Sequence, residues 1–169
     1  HTNTMKNREN KKGFTLIEIL IVIGLIAILA TIVLVALNPA RQFAQGRDSQ
    51  RTSHVNSILN AIGQRTADCK GTFEGTCSNP PLTCPNLPTP GALDEVRSIL
   101  NDTSALTGTT IGLGCLAPTY MATIPSDPKA PVGTDTNYDL VIETIAEGGR
   151  TTIVAPDTEI TSPDISVTR

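Results

Sequence analysis

The stretch FTLIEILIVIGLIAILATIVLVAL, residues 14–37, runs for 24 residues without a Lys or Arg and with one carboxylate, Glu18. As a helix it would be about 36 Å long at ~1.5 Å per residue, enough to cross a bilayer core of roughly 30 Å. A rod of this kind does not stay in water as a monomer. It is held by lipid or by copies of itself, and whatever else the chain folds into has to be an appendage to it. Secretory signal peptides also pair a basic start with an apolar core, but their apolar region is shorter, about 7–15 residues, and carries no acid near its start.

Charge gives the rod a direction. Residues 1–13 hold Lys6, Arg8, Lys11 and Lys12 against Glu9. Basic residues on one flank predict that the N-terminus stays in the cytoplasm and that everything after Leu37 lies outside. Residues 38–66 carry four Arg against Asp48, a balance of +3, while residues 67–169 carry five basic and thirteen acidic groups, a balance of −8. The chain therefore reads as a basic tip, an apolar rod, a basic neck and an acidic head. Glu18 is the anomaly. A carboxylate at the centre of a membrane helix costs about 2.5–3.5 kcal/mol, less near the edge, and a partner is expected for it.

Export decides how the four cysteines are read. Cys69, Cys77, Cys84 and Cys115 all follow the rod, and only 3% of the chain is aromatic, with no Trp, so the head has a modest core that disulfides would reinforce. Three pairings are open. Cys69 with Cys77 and Cys84 with Cys115 is the favoured set. A zinc site is disfavoured, because no two cysteines stand in a CxxC pair.

The segment KKGFTLIEIL resembles the class III signal of type IV prepilins and type II secretion pseudopilins: a basic leader, Gly13, Phe14, and a carboxylate at the fifth residue of the mature chain, leading an apolar helix. The neck NPARQFAQGRDSQRTSHVNSILNAI is similar to that of small bacterial pseudopilin-like proteins. The resemblance implies a fold, a maturation and a set of partners. A membrane-embedded prepilin peptidase would cut after Gly13 and methylate the new amine of Phe14. The mature chain would sit in the inner membrane with its head outside, then join copies of itself and other pilin-like subunits, through an inner-membrane assembly platform, in a surface pilus or a periplasmic pseudopilus. Residues 1–4 precede Met5 and read as a tag remnant or an upstream extension.

Physical chemistry supplies a reason for the motif. Gly13 suits a backbone that must enter a protease cleft in extended form. Cleavage would leave a charged amine one helical turn from Glu18. In the apolar core of a filament that carboxylate would neutralise the amine of its own or a neighbouring chain, and the best ion pair would set the axial register. Glu18 is thus expected to act in assembly.

Beyond the rod, Val55, Ile58, Leu59 and Ile62 recur at i, i+3, i+4 and i+7, the stripe of an amphipathic helix. Residues 14 to about 65 are expected to form one bent helix of about 78 Å, kinked or locally unwound near Pro39, although Asn38 before Pro39 can instead start a new helix. Arg41, Arg47, Arg51 and Arg65 are read as contacts to anionic lipid headgroups, as contacts to the acidic heads of neighbouring copies, or as a solvated face.

Within the head, CKGTFEGTCSNPPLTCPNLPTPG reads as a stapled loop and GALDEVRSILND as a short helix with Leu93, Val96, Ile99 and Leu100 on one face. NYDLVIETIAEGGRTTIVAP carries the clearest hairpin, with Tyr138, Leu140, Ile142 and Thr144 alternating, a Glu147-Gly148-Gly149 turn and a return strand at Ile153 and Val154. A last strand between Glu159 and Val167 is weakly signalled. The expected architecture is α+β and pilin-like, a long N-terminal helix packed on a small antiparallel sheet. Its parts are a leader at 1–13, a transmembrane or filament-core helix at 14–37, an amphipathic neck helix at 38–66 and an extracytoplasmic globular head at 67–169.

No catalytic constellation emerges. His54 lies beside Ser53, where neighbours on a helix point apart, and no nucleophile-elbow, zinc-protease or phosphate-loop motif occurs. The chain is read as no enzyme and as needing no cofactor. Because major pseudopilins often bind calcium in their C-terminal loops, Asp127, Asp135, Asn137 and Asp139 are weak calcium candidates, in a spacing that matches no EF-hand. An acidic head does not suit direct contact with nucleic acid. Two functions follow: a structural subunit of a type IV pilus or type II secretion pseudopilus, or a monomeric, membrane-anchored, exported binding domain.

Overall fold

A computed structural model describes residues 13–36, 38–77, 82–87, 96–103, 108–143 and 150–169. The basic leader, Leu93, Thr144 and the Glu147–Gly149 turn lie outside these residues. The chain divides into two units, His1–Ala40 and Arg41–Arg169.

The first unit is built on α1, Leu16–Ala36, which has 21 residues, is about 32 Å long, and has none of its residues buried. It is the one helix among the described residues long and apolar enough to cross a membrane. The second helix, α2, spans Pro39–Asp68. A single bent helix over 14–65 is therefore not what forms. Asn38 between the two helices takes φ +40°, in the left-handed region that asparagine tolerates better than most residues. Pro39 then serves as the first residue of α2, where its missing N–H costs nothing. At the other end α2 closes with a Schellman motif. Lys70 is left-handed at φ +59°, its N–H bonds the Ala67 carbonyl at 3.3 Å, and the Gly71 N–H bonds the Thr66 carbonyl at 2.8 Å.

Two sheets complete the head. A small antiparallel hairpin joins β1, Gly75–Cys77, to β2, Leu82–Cys84. The main sheet has the order β4-β3-β5-β6-β7, from β3 (Val96–Leu100), β4 (Thr110–Gly112), β5 (Asp135–Ile142), β6 (Thr151–Ala155) and β7 (Ile165–Thr168). The hairpin read from the sequence is the β5–β6 pair, with Leu140 opposite Ile153. Two details differ from expectation. Residues 96–100 form a strand instead of a helix: among the described residues of the proposed stripe only Ile99 is fully buried, Val96 is 51% exposed, and β3 gains ladders on both edges, to β4 and β5. Helix propensity gave way to the open edge of β5. The sheet is also mixed, since β4 runs parallel to β3.

Alternation along β5 turns Thr136, Tyr138, Leu140 and Ile142 inward. Tyr138, Leu140 and Ile142 meet Val55, Ile58, Leu59 and Ile62 of α2, with Ile99, Ile111 and Ile153 from the other strands, in one apolar core. Cys84 of β2 is bonded to Cys115, in a one-turn 3-10 helix at Gly114–Leu116. Gly114 is required there: a Cβ would stand 2.5 Å from the Asp102 carbonyl oxygen, the same oxygen that accepts the Gly114 N–H. Of the three pairings open from the sequence, one bond of the favoured set is therefore present. Cys69 is also disulfide-bonded, and the side chain of Cys77 lies outside the described set.

Candidate functional site

At the N-terminus the backbone enters α1 through Gly13, Phe14 and Thr15, with Phe14 85% exposed. A Cβ placed on Gly13 would meet nothing within 4 Å, so the fold itself does not demand glycine there. Thr15 caps α1 and Glu18 stands at the third helical position. The Glu18 Oε2 accepts the Thr15 N–H at 3.0 Å and the Thr15 hydroxyl at 2.9 Å, and the Glu18 N–H approaches the Thr15 Oγ1 at 3.3 Å. This is a capping box, which satisfies helix-start donors reciprocally. Glu18 therefore has a partner within its own chain before any cleavage creates an amine. The signal was legible in the sequence as Thr-Leu-Ile-Glu, threonine followed three residues later by glutamate at the head of an apolar run.

A second cluster lies wholly within the head unit. Arg51 of α2, 0% exposed, holds Asp127 in a fork, Nε to Oδ2 at 2.5 Å and Nη2 to Oδ1 at 3.0 Å. Its Nη1 donates to Asp48 at 2.7 Å and to Glu159 at 3.1 Å. Arg47 grips Glu159 with two bonds of 2.6 Å, and Lys129 reaches the same carboxylate at 2.8 Å. Three cations thus face three carboxylates. Asp48 also accepts the N–H groups of Glu159 and Ile160, at 3.1 and 2.9 Å, and so straps the segment before β7 onto α2.

Electrostatics follow that geometry. The bond from Arg47, then that from Lys129, holds Glu159 well below the ordinary carboxylate range. Burial works against ionised Asp48 and Asp127, yet Arg51 and backbone N–H groups bring both below their usual values. The bond from Asp127 leads the causes that raise Arg51.

Neck arginines 47 and 51 are accordingly committed to acids of their own head. Arg65, also 0% exposed, donates to the carbonyls of Phe73 at 2.9 Å and Gly75 at 2.7 Å, with its guanidinium 5.6 Å from the Phe73 ring. The reading of these three as lipid contacts, as bridges to neighbouring heads or as a solvated face is corrected. Their acceptors lie up to 112 residues away along the chain, and only the fold brings them to α2.

The four calcium candidates are not gathered. Asp127 is occupied by Arg51, while Asp135, Asn137 and Asp139 alternate on the outer face of β5. Asp135 caps the Asn137 N–H at 2.9 Å, and the Asn137 amide donates to Asp157 at 2.5 Å. Among the described residues no group of three or more His, Cys, Asp or Glu is arranged to hold a metal ion. His54 turns away from Ser53 and bonds the buried Tyr138 hydroxyl through Nδ1 at 2.8 Å. Burial lowers the imidazole pKa, and burial raises that of the phenol.

Residues 8–34 match the family model described as the prokaryotic N-terminal methylation motif. No curated protein and no solved structure matches the chain. The matched segment contains Gly13, Phe14, the Thr15–Glu18 box and nearly all of α1. The chain carries the prokaryotic N-terminal methylation motif, the class III signal of type IV prepilins and type II secretion pseudopilins, ahead of a pilin-like α+β layout.

Proposed function

We propose that the chain is a structural subunit of a type IV pilus or a type II secretion pseudopilus. Prepilin peptidase cuts it after Gly13 and methylates Phe14, and it assembles with copies of itself and other pilin-like subunits through α1. One observation carries this reading: at the matched motif, a wholly exposed apolar helix begins with an unhindered Gly13-Phe14 backbone and a single carboxylate. An anchor alone needs the apolar length; it needs neither the carboxylate nor a glycine that the fold does not use. Before assembly α1 lies in the membrane, with the N-terminus cytoplasmic and the head outside.

The intact mass of the membrane-extracted chain, from cells containing the peptidase, tests the proposal. A mature chain beginning at Phe14 with one added methyl supports it. A chain still carrying its leader overturns it and favours the monomeric anchored binding domain.

A further inference from the structure

A bilayer core of roughly 30 Å fixes where the chain leaves the membrane. The Thr15–Glu18 cap belongs at the polar edge, and from Glu18 to Ala36 α1 rises about 27 Å. The hydrocarbon therefore ends within a residue or two of Ala36, at Asn38, and any tilt of α1 moves that edge further along the chain. Since α2 starts at Pro39, Phe43 lies at most about 10 Å beyond Asn38, whatever direction α2 takes. The headgroup layer is about 5–8 Å thick on each side. Helical side chains lean towards the N-terminus of their helix, so the Phe43 ring reaches back into that layer.

Residue chemistry at this level suits lipid. Phe43 is 69% exposed, the only large apolar side chain of α2 to be so among the described residues. Arg41, two positions earlier, is exposed as well. Between Glu18 and Asp48 the sequence has no carboxylate, and Asp48 itself is buried and bonded to Arg51. The balance of −8 in residues 67–169 is thus kept out of the stretch next to the lipid phosphates, which carries a cation, an aromatic ring and no anion.

We propose that Pro39–Phe43, the start of α2, is an interfacial anchor in the outer leaflet. The Phe43 ring lies at the boundary between acyl chains and headgroups, and the Arg41 guanidinium pairs with a lipid phosphate. The two side chains stand about 160° apart around α2, so lipid surrounds the start of the helix rather than lining one face. The anchor extends the lipid contact of α1 by one turn and rests on the reading that places α1 in the membrane before assembly. It sets the depth of the subunit, and it is released when the subunit leaves the bilayer.

The chain has no Trp, so a single substitution reports depth without background. Full-length Phe43→Trp, Ile28→Trp in α1, and Val132→Trp at a fully exposed site of the head are reconstituted in phosphatidylcholine–phosphatidylglycerol vesicles at high lipid excess. The phosphatidylcholine is brominated on its acyl chains, near either the carbonyl or the methyl end. Phe43→Trp is expected to emit to the blue of Val132→Trp and to be quenched mainly by the shallow bromine, Ile28→Trp mainly by the deep one, and Val132→Trp by neither. Phe43→Trp emission matching that of Val132→Trp, with Ile28→Trp quenched, overturns the anchor and leaves α1 in the membrane. Blue-shifted Phe43→Trp emission that neither lipid quenches means that protein covers the ring, as a second copy would, and also overturns the anchor. If Ile28→Trp escapes quenching, the membrane placement of α1 fails and the anchor fails with it. Adding Arg41→Glu to Phe43→Trp is expected to cause a loss of shallow quenching; unchanged quenching overturns the phosphate contact.

Discussion

Arg51 and Asp127, 76 residues apart in the chain, meet as a two-bond fork with both side chains at 0% exposure. A buried pair of this kind adds little over an apolar pair of the same shape, but removing one partner strands the other charge without water. Arg51→Met strands Asp127 and half-frees Asp48, so the head is expected to lose about 3–5 kcal/mol. Thermal unfolding of the detergent-solubilised chain, followed by circular dichroism, reads this as a large fall in Tm. Arg51→Met with Asp127→Leu is expected to recover most of the loss. Equal Tm values for the single and double variants would show that the fork is not the coupled element.

Acid should release the strap that Asp48 and Glu159 form. Both carboxylates, and Asp127, have folded pKa values below their unfolded ones. Their stabilisation is present above the unfolded values of about 4 and is lost as pH falls through the folded values. His54, lowered by burial, has the same sign at higher pH: neutral in the fold, it begins to destabilise as pH drops below about 6.5. Tm is expected to be highest near neutrality, to slip below pH 6.5 and to fall steeply below 4. His54→Gln should remove the first slope and leave the second.

Asp139 has the opposite sign. Burial, together with Asp135 and Asp157, raises its pKa, so its contribution is complete below about 3.9 and is lost as pH rises through the folded value. Asp139→Asn is expected to raise Tm at pH 7 and to change nothing at pH 3. A fall in Tm at pH 7 would show that its Ser98 bond outweighs the cost of burial.

At Glu18, cap and charge can be separated. Glutamine also completes a capping box, so Glu18→Gln keeps the helix start and removes the charge, whereas Thr15→Ala removes the cap and keeps the charge. If the carboxylate pairs with the Phe14 amine in assembly, Glu18→Gln abolishes fibres while leaving cleavage intact, and Thr15→Ala assembles. The reverse pattern, scored by mature-chain mass and sheared-fibre yield, would assign Glu18 to the cap alone.

The Cys84–Cys115 bond, 31 residues apart, ties the β1–β2 hairpin to the 3-10 turn. Chain-entropy arguments put its contribution at about 3–4 kcal/mol. Cys84→Ser with Cys115→Ser is expected to lower Tm accordingly, and hydrogen exchange at residues 75–84 should rise before that of β5. Unchanged exchange would mean that the hairpin is held by Arg65 at Phe73 and Gly75 instead.

Local chemistry was legible in the residues themselves. The apolar run had to become a lipid- or partner-facing helix, the Val55–Ile62 stripe had to bury one side of α2, the β5–β6 alternation had to pair, and Gly13-Phe14 with Glu18 pointed to processing and assembly. Each rests on neighbours within about ten residues, where spacing alone sets which side chains share a face. Tertiary structure decided the rest. The run at 96–100 became a strand because β5 offered it an open edge, and β4 joined it in parallel, a pairing that no local pattern announces. Arg47 and Arg51 looked like surface charge until Asp127 and Glu159 arrived from far along the chain. Glu18 stands between the two: its cap is local and written in Thr15-Leu16-Ile17-Glu18, while the amine assigned to it requires cleavage and assembly that one chain does not contain.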